Sequence, residues 1–177
     1  MGKVTVGVDL DNTFWNLGET VVKMLNQKYD LAVKYENCPY NLDKVFGQFP
    51  QFDININDWY YQGATSSNVY EDAKTVINYI KKELGYDVYF CTSSTPEELV
   101  VKNKRLNAIF DWFDGTQLIC CHNKKLIKFN IMIDDLASHF SDTVDVKILY
   151  NQPYNQDEQG VYRAYNWLQV LRYISAY

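Results

Sequence analysis

No stretch of the sequence reaches 18 apolar residues, so nothing in it reads as a membrane-spanning helix. Its opening, MGKVTVGVDL, is strand-like and lacks the ordered charged, apolar and small-residue regions of a signal peptide. The initial Met-Gly is followed at position six by Val6, where N-myristoylation requires Ser or Thr. A cytoplasmic protein is therefore expected. Cysteine is sparse, and Cys38, Cys91, Cys120 and Cys121 stand at neither metal-ligand nor disulfide-framework spacing, so reduced core thiols are expected. The two histidines, His122 and His139, have no partner at ligand spacing and read as surface or packing residues. Positive charge is also short. A net charge of −5 argues against an extended nucleic-acid or anionic-membrane surface and confines any phosphate chemistry to a local pocket. No repeat, low-complexity tract or flexible linker interrupts the chain.

What is present is a globular composition, with nearly half of the 177 residues hydrophobic and ordinary charge, enough for one compact domain with an insertion. The run VTVGV ends at Asp9 and feeds LGETVVKMLNQKY, in which Leu17, Val21, Met24, Leu25 and Tyr29 recur at helical spacing. From about Ala32 to Ser67 the pattern breaks into aromatic, turn-rich sequence, read as a small insertion with short helices. Alternation then resumes. EDAKTVINYIKKEL places Val76, Ile77, Ile80 and Leu84 on one helical face, Gly85 stops it, and DVYFCT follows as a strand. Thr95-Pro96-Glu97-Glu98 is a capping box with proline at the first helical position, opening a helix to about Phe110. QLICC, NIMIDD and VDVKILY supply further strands, and a last helix is expected near Tyr162–Tyr173. The alternation implies an α/β fold: a Rossmann-like parallel sheet with helices on both faces.

Ligands of such sheets bind beyond the carboxyl ends of the strands. That rule brings Asp9 and Asp11, Thr92 and Ser93, Lys124, and Asp134 and Asp135 to one rim. Converging carboxylates repel one another, and a hard cation with oxygen ligands, Mg²⁺, relieves the repulsion while leaving positions for phosphate oxygens. Asp9 then has an oxygen free to act as nucleophile. Asp11, just past the strand, is placed to protonate a leaving oxygen and deprotonate water. The Thr92 hydroxyl and Lys124 ammonium would hold the phosphoryl oxygens. Asp135 is read as a supporting group that binds metal through water or orients Lys124. Asp9 and Asp11 as mere helix caps, and Lys124 as part of a solvated basic run with Lys125 and Lys128, are the bland alternatives.

DLDNT, FCTSS, Lys124 and IMIDD, in that order, resemble the four motifs of the haloacid dehalogenase superfamily of phosphatases. The resemblance implies Asp9 as nucleophile, Asp11 as acid/base, and Mg²⁺ held by Asp9, the backbone carbonyl of Asp11, and Asp134. More narrowly, NKKLIKFNIMIDD, the insertion directly after the first motif, and ILYNQPYN followed by a helix containing Trp167 resemble the 5'(3')-deoxyribonucleotidases. That similarity implies a core of residues 1–16 and 68–177, a small helical cap of residues 17–67, and a nucleoside monophosphate substrate, often a deoxypyrimidine. It adds Ser93 to the phosphate site, together with a lysine on the following helix, assigned to Lys104 with Lys102 the alternative. The tryptophan expected beside that lysine is absent, and Asn107 stands there. Phe14, Trp15, Phe46, Phe49 and Trp59 are candidates to stack on a base or, more blandly, to pack the cap.

The expected activity is thus a Mg²⁺-dependent nucleotidase working through an aspartyl phosphate, in a protein that could form a homodimer. Competing readings are a phosphatase for a sugar phosphate or a polynucleotide 3'-phosphate, and, in a different class, a phosphoacceptor or catalytically silent nucleotide-binding module. In receiver domains the acidic pair precedes the phosphoacceptor, whereas here it comes last.

Overall fold

The computed structural model describes residues 2–159 and 161–177. Six parallel strands form one sheet: β1 (Thr5–Asp9), β2 (Asp87–Thr92), β3 (Leu118–Cys120), β4 (Ile131–Asp134), β5 (Val146–Tyr150) and β6 (Tyr162–Ala164), in the order β3-β2-β1-β4-β5-β6. Between β1 and β2 lie α1 (Leu17–Tyr29), α2 (Asp43–Phe46), α3 (Ile56–Ser66) and α4 (Ala73–Lys82); α5 (Pro96–Ile109) joins β2 to β3, and α6 (Trp167–Ile174) ends the chain. Among the described residues, no helix is long and apolar enough to cross a membrane.

Central parallel strands are buried on both faces, so β1 and β4 read as nearly continuous apolar runs. Their side chains still alternate between two cores. Ile131 and Ile133 of β4, Phe90 of β2 and Ile148 of β5 join a large cluster to which all six α-helices contribute. Met132, Cys91 and Leu149, one residue out of phase, join Phe129, Phe140 and Val144 on the opposite face. That second face is covered by loops and single 3₁₀ turns at Lys124–Leu126 and Ala137–His139. Gly7 makes this possible on β1, because a Cβ there would lie 2.4 Å from the Phe129 ring.

Local signals set the helix ends. Thr95 Oγ1 accepts from Glu98 N (3.3 Å) while Glu98 Oε2 accepts from Thr95 N (2.9 Å), so the capping box starts α5 directly after β2. α1 ends at Asp30, whose left-handed φ of 51° an aspartate tolerates better than most residues. The last helix begins at Trp167 rather than Tyr162: Asn166 caps it by accepting from Gln169 N, and Tyr162–Ala164 adds a sixth strand beside β5. Three residues are too few for a period to be legible in sequence. All four cysteines are free; Cys38 and Cys91 are buried, but Cys121 is half-buried and Cys120 exposed.

The segment between β1 and α4 leaves and rejoins the sheet at a narrow base. Asn16 N donates to Asn68 O (3.0 Å), Asn68 N donates back to Asn16 Oδ1 (2.8 Å), and Trp15 pairs with Val69 in an antiparallel bridge. Within it α1 and α3 pack closely because Gly63 has no side chain; a Cβ there would lie 2.7 Å from Leu17 and Val21.

Candidate active site

The chain runs outward from β1 through β2 and β3, then crosses back to β4 beside β1 and runs outward the other way through β5 and β6, which makes the carboxyl ends of β1 and β4 the switch point of the sheet. Asp9 is its last residue and sits level with the end of β4, since Val8 pairs with Ile133. Asp134 ends β4 and Asp135 follows, and oxygens of Asp9, Asp134 and Asp135 lie within 4.8 Å of one another. All three residues are buried. Lys124, brought in by the 3₁₀ turn after β3, is buried between them: its Nζ donates to Asp9 Oδ1 and to Asp134 Oδ2, the latter at 2.8 Å.

One ammonium cannot neutralise three buried carboxylates, and the titration behaviour reflects that. Burial pushes Asp9 up to about 6; Lys124 opposes the rise, and Asp134 and Asp11 add to it. Burial, then Asp9 and Asp134, drive Asp135 well above the ordinary carboxylate range. Burial acts on Asp134 too, but Lys124 and His139 outweigh it and hold that carboxyl low. Lys124 is held well above its ordinary value because Asp9 and Asp134 overcome its own burial. An all-oxygen set with excess negative charge fits a hard divalent cation. Surrounding donors fix its geometry. Leu136 N and His139 Nδ1 lie 2.9 Å from Asp134 Oδ1, Thr13 Oγ1 donates to Asp135 Oδ1 (3.3 Å), and the Tyr154 hydroxyl donates to Asp135 Oδ2.

Asp9 and Lys124 open onto a cavity of about 480 Å³, within the usual range for small-molecule sites. Ser93, Ser94 and His122 line it on the sheet side; Tyr35, Tyr40, Asn41, Asn57 and Tyr60 line it from the segment between β1 and α4.

A sequence model of the family described as 5' nucleotidase, deoxy (pyrimidine), cytosolic type C protein matches residues 3–176. The chain belongs to this family. A 5'(3')-deoxyribonucleotidase of Bacillus subtilis is 27% identical over 176 residues, covering 96% of this chain and 98% of that protein. One of Clostridium acetobutylicum is 24% identical over 173 residues, covering 96% and 94%. Among solved structures, a haloacid dehalogenase family hydrolase of Deinococcus radiodurans superposes with a TM-score of 0.64 at 14% identity, covering 97% of this chain and 94% of that one, a likeness of fold. The protein is a phosphomonoester hydrolase of the 5' nucleotidase type, built on the haloacid dehalogenase fold.

Asp9, Lys124, Asp134 and Asp135 lie together at the carboxyl edge of the sheet, and the other candidate residues lie around them as follows. The Asp11 carboxylate stands apart from the acidic trio: Oδ2 accepts from Lys102 Nζ (2.5 Å) and Oδ1 from Trp15 Nε1 (2.9 Å). Thr92 is fully buried, does not line the cavity, and binds Lys102 Nζ (3.0 Å), leaving Ser93 and Ser94 to face the space. Lys104 is exposed and makes no contact with this cluster, whereas Lys102 is buried and reaches Asp11, Thr92 and Ser94. The structure thus places the alternative lysine, not Lys104, at the site. The signal was present in sequence: Lys102 shares a helical stripe with Leu106 and Phe110, which are buried.

None of the five aromatic candidates lines the cavity. Phe14 and Trp15 are fully buried, and Phe14 packs against Phe90, Phe110 and Trp167. Phe46 is buried beside Phe49, and Trp59 packs against Tyr29. All five serve packing, Phe14 and Trp15 in the core beside the sheet and the other three within the segment between β1 and α4, whose tyrosines occupy the cavity wall instead. Tyr40 meets Tyr154 edge-on at 5.4 Å, and the Tyr35 hydroxyl donates to Gln152 Oε1 (3.1 Å). Tyrosines in irregular segments carry no periodicity that would single them out. Both histidines line the cavity as well, His139 on Asp134 and His122 with Nδ1 2.8 Å from Ser93 Oγ, a role that ligand spacing alone did not reveal.

Proposed function

We propose that the enzyme hydrolyses nucleoside monophosphates, deoxyribonucleotides foremost, with Mg²⁺ and an aspartyl-phosphate intermediate on Asp9. The observation that carries the reading is the position of Asp9: a buried strand-end carboxylate, held through one oxygen by Lys124, opening onto a cavity whose far wall is tyrosine and asparagine. Aromatic faces accept any base, and amide side chains offer hydrogen bonds to its edge. Residues 17–67 act as the cap that closes this wall over the substrate. A cavity of this size, roofed by residues of the 17–67 segment, suits a monomeric ester better than a polymer end.

Mg²⁺, held by Asp9, Asp134 and Asp135 with the Asp11 backbone carbonyl, would offset charge on the carboxylates and the phosphoryl oxygens. The Asp9 oxygen attacks phosphorus; the bond from phosphorus to the ester oxygen breaks, its electron pair goes to that oxygen, and Asp11 supplies the proton. Water then attacks the aspartyl phosphate, Asp11 takes its proton, and the acyl-oxygen bond to phosphorus breaks to restore Asp9. Lys124, Lys102, Ser93 and Ser94 hold the phosphoryl oxygens through both steps. Release of inorganic phosphate from deoxy- and ribonucleoside monophosphates and sugar phosphates, with Mg²⁺ or EDTA, tests the reading. Mg²⁺-dependent turnover of deoxynucleotides, abolished in Asp9→Asn, is expected; turnover of sugar phosphates alone would discard the substrate, and full activity in EDTA would discard the metal.

A further inference from the structure

We infer that Trp15 and Arg105 are positioning residues that aim the Asp11 carboxylate and couple its aim to the base of the segment 17–67. The inference rests on the reading of Asp11 as the proton donor. Asp11 opens the turn after β1 and is bridged to Trp15, which closes it; its carboxylate is held at one oxygen from within that turn and at the other from α5. Lys102 fixes one. The indole N–H of Trp15 fixes the other, from a ring that is fully buried and therefore has few orientations open to it.

Arg105 sits one turn beyond Lys102 on α5, and its guanidinium carbon lies 4.5 Å from the centre of the Trp15 ring. A cation over an indole face is attracted to it and draws density from the ring, which favours donation by the indole N–H. The same guanidinium donates to Ala64 O (2.5 Å), Ser67 Oγ (3.0 Å) and Ser67 O, the backbone that ends α3 and returns to the sheet. Trp15 itself is in the two-stranded base, paired with Val69. One arginine therefore touches the far end of the segment and the ring that aims Asp11. A shift of α3 relative to α5 must move the guanidinium, the indole, or both.

The consequence is specific to proton delivery. A nucleoside leaves as an alkoxide and needs the proton of Asp11, whereas p-nitrophenolate leaves without one. In rapid-mixing experiments on the Mg²⁺-loaded enzyme, Trp15→Phe, which keeps a ring and removes the donor, should slow nucleoside release from a deoxynucleotide about tenfold or more. The p-nitrophenol burst should stay within about twofold of wild type, because that step uses no general acid. Arg105→Met should give the same pattern more weakly, and Arg105→Lys, which keeps a cation over the ring, should recover part of the loss. Equal slowing of both leaving groups, or a change in KM alone, in folded variants would overturn the inference. If wild type releases nothing from either substrate, the functional reading fails instead.

Discussion

Replacing Asp9 with Asn should make the metal-free protein more stable, and only above the acidic range. The carboxyl of Asp9 is pushed from an ordinary 3.8 to about 6, chiefly by burial, even with Lys124 pulling the other way. The folded protein therefore holds this proton more tightly than the unfolded chain does, and ionisation costs the folded state. That cost is absent below about 3.8, grows as pH rises, and is complete above about 6, where it amounts to about 3 kcal/mol. An asparagine keeps an oxygen for Lys124 but carries no charge to desolvate. For a domain of this length about 3 kcal/mol corresponds to roughly 6–12 °C in Tm. Thermal unfolding of both proteins in EDTA should give nearly coincident Tm values at about pH 4 and a clear advantage for Asp9→Asn at about pH 7.5. Millimolar Mg²⁺ should then raise the Tm of wild type far more than that of the variant, because ligand binding to the folded state stabilises it. A variant that is no more stable than wild type at the higher pH would show that the ion pair with Lys124 outweighs burial, and the electrostatic account of the site would fall.

Lys102→Met should lower kcat on a nucleotide by about a hundredfold or more, since it removes a buried charge beside Asp11, Thr92 and Ser94, while Lys104→Met should leave steady-state kinetics at wild-type values. Tyr40→Ala should raise KM for deoxynucleotides by about tenfold with a smaller change in kcat, the signature of a lost stacking surface, and unchanged KM would remove Tyr40 from the substrate wall. Gly7→Ala should lower stability by about 1–3 kcal/mol in denaturant titration, because its methyl group has no room against the Phe129 ring.

The chemical centre was the most legible part of the sequence, for a physical reason. Asp9 and Asp134 end apolar strands, and a charged residue closing a buried run has few explanations other than the sheet's ligand-binding edge. Side chains carried by helices and loops were harder to place. Lys102 and Lys104 differ by more than half a turn, so only the phase set by Leu106 and Phe110 separates a buried cation from a solvated one. Ring type alone does not single out a stacking surface: Trp15 and Phe14 lie in the core, where large apolar area stabilises most, and tyrosines, which tolerate a wet edge, face the cavity. The strand Tyr162–Ala164 was hidden because its identity comes from pairing with β5, a long-range fact with no local trace.

The backbone at Asn16 and Asn68 is joined by a single peptide-to-peptide hydrogen bond, so some fifty residues hang from two adjacent points on the sheet. We propose that residues 17–67 form a cassette. Closing a loop across so short a gap costs little more for a long insert than for a short one, so lengthening, shortening or replacing it leaves the strand ends where they are. On this reading the wall of the cavity can be rewritten without redrawing Asp9, Asp134 and Asp135. Its ties to the rest of the chain set the limits: Tyr35 reaches Gln152, Tyr40 meets Tyr154, and Arg105 is seated on Ala64 and Ser67, so any graft that omits those two carbonyls leaves the Trp15–Asp11 contact unbraced, which makes them positions to preserve in a chimera.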